Sequence, residues 1–236
     1  MQVLRLEMFQ ETACYKKPLA FKVAETYPIP PYSTVKGMLH ALVNANEFIP
    51  MSLSIQGTFD TIIVDYQTHY LFKKVDVSEF PLTMDGLEGK HSFSHMTKMP
   101  LYSHMLYRVK LLIHVRAEEQ VIDKIIKAIE VGDTPISLGR WEDLVRIDSY
   151  QKVAIEELED EEELRNPAFV PAWQIPEGKS FIPYRLNWKY EIKNGVRNWQ
   201  KVPVGYLAAG EDMQGENIFI DEYSDLVFFH DQGAES

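Results

Sequence analysis

The segment Tyr27-Pro28-Ile29-Pro30-Pro31-Tyr32-Ser33-Thr34 constrains this chain more than any other stretch. Three prolines in four residues fix φ and remove backbone donors, so the segment is extended and cannot be helical. Ser33 and Thr34 are good N-cap residues, and a helix is predicted from there to about Ala45. Val35, Met38, Leu39, Leu42 and Val43 fall at i, i+3, i+4, i+7 and i+8, one apolar stripe. Gly37 stands in the first turn. It serves either close packing or the approach of a ligand backbone to the helix N-terminus.

Alternating apolar residues predict the strands. Gln2–Phe9 places Leu4, Leu6 and Met8 on one face. Ala13–Ala24 reads as irregular. Thr58–Val75 is strand-like, and Met105–Val115 is the clearest strand, with Met105, Tyr107, Val109, Leu111, Ile113 and Val115 on one face. Glu118–Glu130 is an amphipathic helix ended by Gly132. Leu144–Ile155 is a further strand. The order is β-α-β-(insertion)-β-α-β, the α+β ferredoxin-like arrangement, with helices on one face of an antiparallel sheet and the other face free. Asp76–His104 is too long for a hairpin turn. In the remainder, Ser180–Ile192 and Val196–Val204 flank Asn194-Gly195, a strong hairpin signal. The expected division is a 1–155 domain with an insertion at about 76–104, an acidic linker at 156–166, and a smaller β-rich C-terminal appendage at 167–236.

Composition narrows the function. The chain has 236 residues, enough for a sizeable core. A single cysteine, Cys14, excludes a disulfide framework and suits a reducing compartment. No signal peptide or membrane span is read, so a cytoplasmic protein is expected. The net charge is −11, which argues against a free-standing, high-affinity nucleic-acid binder. Glu156–Glu163 alone supplies seven acids and no base, so a local basic groove remains compatible with the total.

Signatures of catalysis are absent. The seven histidines form no HExxH motif, and neither a metal nor a cofactor is expected. There is no GxSxG, GxxxxGK[ST] or GxGxxG. What remains is a phosphate-facing surface. Lys16, Lys17 and Lys22 lie near Tyr27 and near the helix opened by Ser33 and Thr34, whose free N–H groups suit a phosphate. Arg140 follows a glycine in Gly139-Arg140-Trp141-Glu142-Asp143, and arginine forks onto phosphate or stacks on a base. For each cation alone, a solvated surface charge is the competing reading. The insertion carries Lys90, His91, Phe93, His95, Met96 and Lys98, a mixture that suits wedging between bases. A loop that orders against a protein partner is the alternative.

These residues resemble a known family. The N-terminal strand, Ala13–Phe21, TYPIPPYSTVKGMLHALV and ISLGRWEDLV are similar to the fifth core CRISPR-associated family, here the Cas-five family, over about residues 1–155. Its members belong to the RAMP superfamily, with ferredoxin-like, RRM-related domains, and the first motif looks closest to the type I-B branch. The resemblance implies a non-catalytic subunit of the Cascade surveillance complex. Such a subunit caps the 5′ handle of the CRISPR RNA (crRNA) and bridges the backbone and large subunits, reaching target DNA through the complex, in antiviral defence. Carried over, the handle surface is Tyr27, Ser33, Thr34, Lys36 and Gly37, with Arg140. The insertion becomes a β-hairpin thumb.

The type I-C branch of this family cuts precursor RNA with a tyrosine at the end of the first helix and an adjacent Lys-His pair. This chain has Val43 at the tyrosine place, and Gly89-Lys90-His91 falls in the insertion. A metal-independent endoribonuclease is therefore the alternative reading, with histidine as the natural base. A third reading is a protein-interaction subunit without direct RNA contact.

Overall fold

The structure is a computed structural model that describes residues 1–20, 23–72, 96–133 and 135–230, with backbone alone at 69, 71–72 and 96–98. In chain order its elements are β1 (Gln2–Ala13), β2 (Val23–Ala24), α1 (Tyr32–Leu42), β3 (Ser52–Thr58), β4 (Thr61–Phe72), β5 (Met96–Arg116), α2 (Glu119–Val131) and β6 (Arg146–Glu157). There follow β7 (Glu162–Glu163), β8 (Ala168–Pro171), β9 (Ile182–Lys193), β10 (Val196–Leu207), β11 (Asp212–Met213), β12 (Phe219–Asp221) and β13 (Leu226–Val227).

The central strands run in the order β6-β1-β5-β3, each neighbour antiparallel. Both helices pack on one face of them, so the α+β, ferredoxin-like plan stands. Leu4, Leu6 and Met8 of β1 meet Val35 and Leu39 of α1 and Ile122 and Ile125 of α2 in one core. Burying each such side chain stabilises by roughly 1.5–3 kcal/mol. The sheet then continues through later parts of the chain. β8 pairs with β3 and carries β10 and β9 outward, while β12 pairs with β6. Phe169, Leu186, Trp188 and Val204 join the core of the first half.

Five local expectations need correction. Ser33 and Thr34 do not cap α1. The N-cap is Pro31, with φ −69° and ψ 156° and no side-chain cap bond; its carbonyl accepts from the Thr34 and Val35 amides. The proline already holds the extended geometry a cap needs, so the helix begins one residue before the hydroxyls. It also ends at Leu42 rather than Ala45, because Asn44 turns left-handed at φ 52° and donates its N–H to the Ala41 carbonyl.

The buried face of β5 is not the one alternation gives throughout. Arg108 has φ 52°, and the register with β1 skips it between Val109 and Tyr107. The faces swap there, so Leu106 is fully buried in place of Met105 and Tyr107. The stretch after β1 is more ordered than expected. Lys16 bridges Thr26, and β2 runs parallel to β5 beside Tyr102 and Ser103. Finally, the helix-free face is not free along its whole length. Asp221 and Phe229 cover it above Arg5, His114 and Val3.

Lys22, Lys90, His91, Phe93 and His95 lie outside the described residues, and Met96 and Lys98 are placed by backbone only, at the start of β5.

Candidate functional site

The Leu-Gly-Arg segment forms a turn between α2 and β6, and its conformation follows from three residues. Gly139 has φ 111°, and a Cβ there would lie 2.8 Å from Asp143 Oδ2 and 3.1 Å from the Cys14 carbonyl oxygen. Only glycine fits that approach. Asp143, fully buried, accepts from the Cys14 and Arg140 amides on Oδ2, each at 2.9 Å. Its Oδ1 accepts from Arg140 Nη2 at 2.7 Å. Gln10 Nε2 completes the clasp by donating to the Leu138 and Asp143 carbonyls at 2.9 and 3.0 Å, and the Tyr15 hydroxyl donates to Gln10 Oε1.

Every buried polar group named in this network has a partner, as it must in a low-dielectric setting. The hydrogen bond to Asp143 raises the Arg140 pKa further, against burial. Burial pushes the Cys14 thiol and the Tyr15 phenol up, so both stay protonated. Arg140 is thus a clamp as well as a surface cation: it also pairs with Glu142 at 3.0 Å, and its side chain is 21 % exposed. The turn presents Trp141, which is 86 % exposed and is the residue that reading the motif as Leu-Gly-Arg misses. A large apolar side chain outside every periodic segment was the available signal.

The remaining candidates distribute around this turn and α1. Lys16 is exposed, whereas Lys17 pairs with Glu25 at 3.3 Å. Ser33 and Thr34 are half-buried in the first turn of α1. Gly37 is exposed, and a Cβ there would meet nothing within 4 Å, so close packing is not what this glycine serves. Tyr27 is a core residue, edge-on to Tyr184 with ring centroids 5.4 Å apart, and burial raises its pKa.

Lys36 turns away from the Gly139 turn. Its ammonium donates to the Trp188 carbonyl and lies 4.7 Å from the Trp188 ring centroid. Burial and Lys189 lower its pKa. Lys36 therefore fastens α1 to β9. The near side of α1 adjoins the chain leading into the turn, around a cavity of about 80 Å³ lined by Met38, Ala41, Leu42 and Pro135 to Ser137. The structure thus brings α1 and the Gly139 turn together, with Cys14 and Lys16 beside the turn, and sends Tyr27 and Lys36 inward.

Two further cavities bear on chemistry. The helix-free face holds one of about 590 Å³ between β1, β5 and β6. Its lining sets four cations, Arg5, Arg108, Lys110 and Arg146, against four acids, Glu7, Glu11, Asp148 and Asp225. Among the described residues, the lining of that cavity carries no net positive charge for a phosphate chain. The second, of about 300 Å³, lies between the ends of α1 and α2 and is lined by Val43, Asn44, Lys124 and Lys127, with Asp133. No histidine or tyrosine lines it among the described residues. Among those residues no group of three or more His, Cys, Asp or Glu forms a metal-binding cluster, and no helix is long and apolar enough to cross a membrane.

Comparison with known proteins adds the following. Residues 3–200 match a family model described as CRISPR-associated protein (Cas_Cas5). A comparison with curated protein sequences found no match. Among solved structures, the fold is similar to a chain of a "CRISPR RNA-guided surveillance complex" (TM-score 0.54, 13 % identity, covering 89 % of this chain and 91 % of that one). It is also similar to a CRISPR protein from Archaeoglobus fulgidus (TM-score 0.51, 9 % identity, covering 98 % and 100 %).

Proposed function

Because the chain belongs to the CRISPR-associated protein (Cas_Cas5) family, we propose that it is a non-catalytic crRNA-binding subunit of a type I Cascade, capping the 5′ handle and bridging the backbone and large subunits in the cytoplasm. The observation that carries this reading is the clasped turn. Buried polar groups from β1, Cys14 and Asp143 fix a surface turn that carries Trp141, 86 % exposed. An exposed tryptophan on a clasped turn next to Arg140 is suited to stacking on an unpaired base. Gly37, exposed and unencumbered on neighbouring α1, leaves room for a sugar-phosphate backbone beside it.

The net charge of −11 fits a subunit that shares its RNA groove with others. The non-catalytic part of the reading is supported by Val43. Cleavage without metal needs a base near the 2′-hydroxyl, and valine at position 43, where the resemblance places a tyrosine, cannot take part in proton transfer. The type I-B assignment rests on the form of the proline motif.

The test is co-expression of the tagged chain with its complex partners and a CRISPR array. The expected result is copurified RNA with one uniform, protected 5′ end. RNA that is retained equally when this subunit is omitted, with the same 5′ end protected, overturns the handle role.

A further inference from the structure

We propose that the outer half of the β9–β10 hairpin is a binding surface for single-stranded nucleic acid, separate from the surface around α1 and the Gly139 turn. The hairpin projects. β10 pairs with β8 over Val204–Leu207, whereas residues 189–200 pair with each other across a two-residue turn, at the end of the sheet. Asn194 and Gly195 both have positive φ, 52° and 73°, as a type I′ turn requires.

Charge singles this ribbon out. The chain carries a net −11, yet Lys189, Lys193 and Arg197 stand here against one acid, Glu191. A cationic ribbon on an anionic body concentrates positive potential where it projects. The aromatic residues supply the second feature. Tyr190 and Trp199 are directly opposite, with ring centroids 5.0 Å apart at 61°. Arg197 lies over the Tyr190 ring at 4.6 Å. Ile192, paired with Arg197 on the same face, is 70 % exposed. Cation, ring and ring therefore line one face, the combination that grips a strand by its phosphates and bases together.

The arm is also braced at its root, which a binding ribbon needs, since an isolated hairpin is marginal. The Lys36 ammonium and the Trp188 ring meet there, and Lys189 lies 4.4 Å from the Phe48 ring centroid. Lys193 pairs with Glu191, both about two-thirds exposed, so that pair is open to exchange with phosphate.

The probe is a 5′-labelled dodecamer of uridine, its deoxythymidine counterpart, and a 12-base-pair duplex, titrated with the full chain by fluorescence anisotropy at several salt concentrations. Both single strands are expected to bind, the duplex at least tenfold more weakly because its bases cannot reach the rings. The Lys193→Glu, Arg197→Glu double variant is expected to weaken binding tenfold or more. It should also flatten the log–log salt slope by about 1–2, as two lost phosphate contacts require. Trp199→Ala is expected to weaken binding about tenfold with the slope unchanged. If Trp199→Ala loosens the ribbon, the exposed charge pair still decides the matter, with Lys193→Arg, Arg197→Lys as its folded control. No binding by the unaltered chain, equal binding of duplex and single strand, or an unchanged Kd in the charge-reversed variant overturns the proposal. A charge-reversed variant that binds nucleic acid normally but fails to assemble with other subunits overturns it in favour of an acidic protein partner. The variants separate the two surfaces, since the charge-reversed ribbon leaves Trp141, Arg140 and Gly37 of the proposed handle surface unaltered.

Discussion

Asp221 on β12 accepts a hydrogen bond from His114 Nε2, near the C-terminal end of β5, at 3.0 Å, with both side chains fully buried. The same Asp221 oxygen accepts from Arg5 Nε at 3.0 Å, and Asp225 accepts from Arg5 Nη2 at 2.7 Å. Three distant parts of the chain thus meet in one charged network under the C-terminal segment. Burial pushes the Asp221 carboxyl up, but the hydrogen bonds from His114 and from the Asp225 and Tyr223 amides outweigh it and hold its pKa below the ordinary 3.8.

Asp221→Asn is therefore expected to destabilise the fold by about 3–5 kcal/mol, because it leaves the buried Arg5 with an incomplete set of partners. The sign in pH follows from the lowered pKa. Between the folded value and 3.8 the unfolded chain binds more protons, so this contribution is present above about pH 4 and is lost as pH falls through the folded value. Urea midpoints measured from pH 6 down to pH 3 should fall more steeply in the unaltered protein than in the Asn variant. Parallel curves would show that Asp221 carries no such linkage.

His40 gives a second pH dependence at higher pH. Its Nδ1–H donates to the Lys36 carbonyl and its Nε2 accepts the Ile49 amide, both at 2.9 Å, a neutral tautomer with both nitrogens engaged. Burial lowers its pKa from 6.5, and the Lys36 ammonium adds to that against the Lys36 carbonyl. Stability should be constant above 6.5 and decline as pH falls from there through the folded value. In His40→Gln the decline over pH 7.5–5 should shrink. An equal decline in both proteins removes His40 from the account.

Gly139→Ala is expected to cost about 1–3 kcal/mol, since alanine at φ 111° is strained and its Cβ meets the Asp143 carboxylate. Arg140→Ala is expected to destabilise as well, by about 1–3 kcal/mol, through the buried acceptor it leaves short of a donor. Arg140→Lys should recover part of the stability and none of the bidentate grip. Chemical denaturation checks all three, and a neutral Arg140→Ala would show that the clasp holds without its guanidinium.

Trp141→Ala separates RNA contact from fold. Its exposure predicts a stability change within about 0.5 kcal/mol. Handle RNA should nonetheless dissociate from the assembled complex severalfold faster. Identical dissociation rates would take Trp141 out of the RNA surface.

The catalytic alternative is checked by incubating the pure protein with precursor RNA in EDTA. The RNA should stay whole, because Val43 can neither donate nor accept a proton. His91→Ala should create no processing defect. Site-specific cleavage that His91→Ala abolishes would make the chain an enzyme.

The central plan was legible because periodicity reports burial directly. The stripe on α1, the alternation in β1, Gly132 as a left-handed cap at φ 63° and the Asn194-Gly195 turn all correspond to local geometry that these residue types enforce. What was not legible depends on partners far along the chain. Alternation reads Met105 and Tyr107 as buried, and the break at Arg108 that displaces them, at φ 52°, leaves no mark in the hydrophobic pattern. Lys36 reads as a free cation in the sequence, and only the position of Trp188, 152 residues on, turns it into a fastening. Arg140 looks solvent-facing until the buried Asp143 carboxylate is seen to need it. Side chains of one charge type look alike in a sequence whether they face water or a buried acid.

The length of β5 has a mechanical consequence. Twenty-one residues at about 3.3 Å each give a strand roughly 70 Å long, longer than a body of this size is wide. Its inner part carries Ile113 in the core, and its outer part pairs with β4. One backbone therefore acts as a boom stepped into the body at Arg108 and stayed by β2 at Tyr102. A load on the outer end reaches the core along covalent bonds and through the β1 ladder, which pairs with β5 on both sides of Arg108.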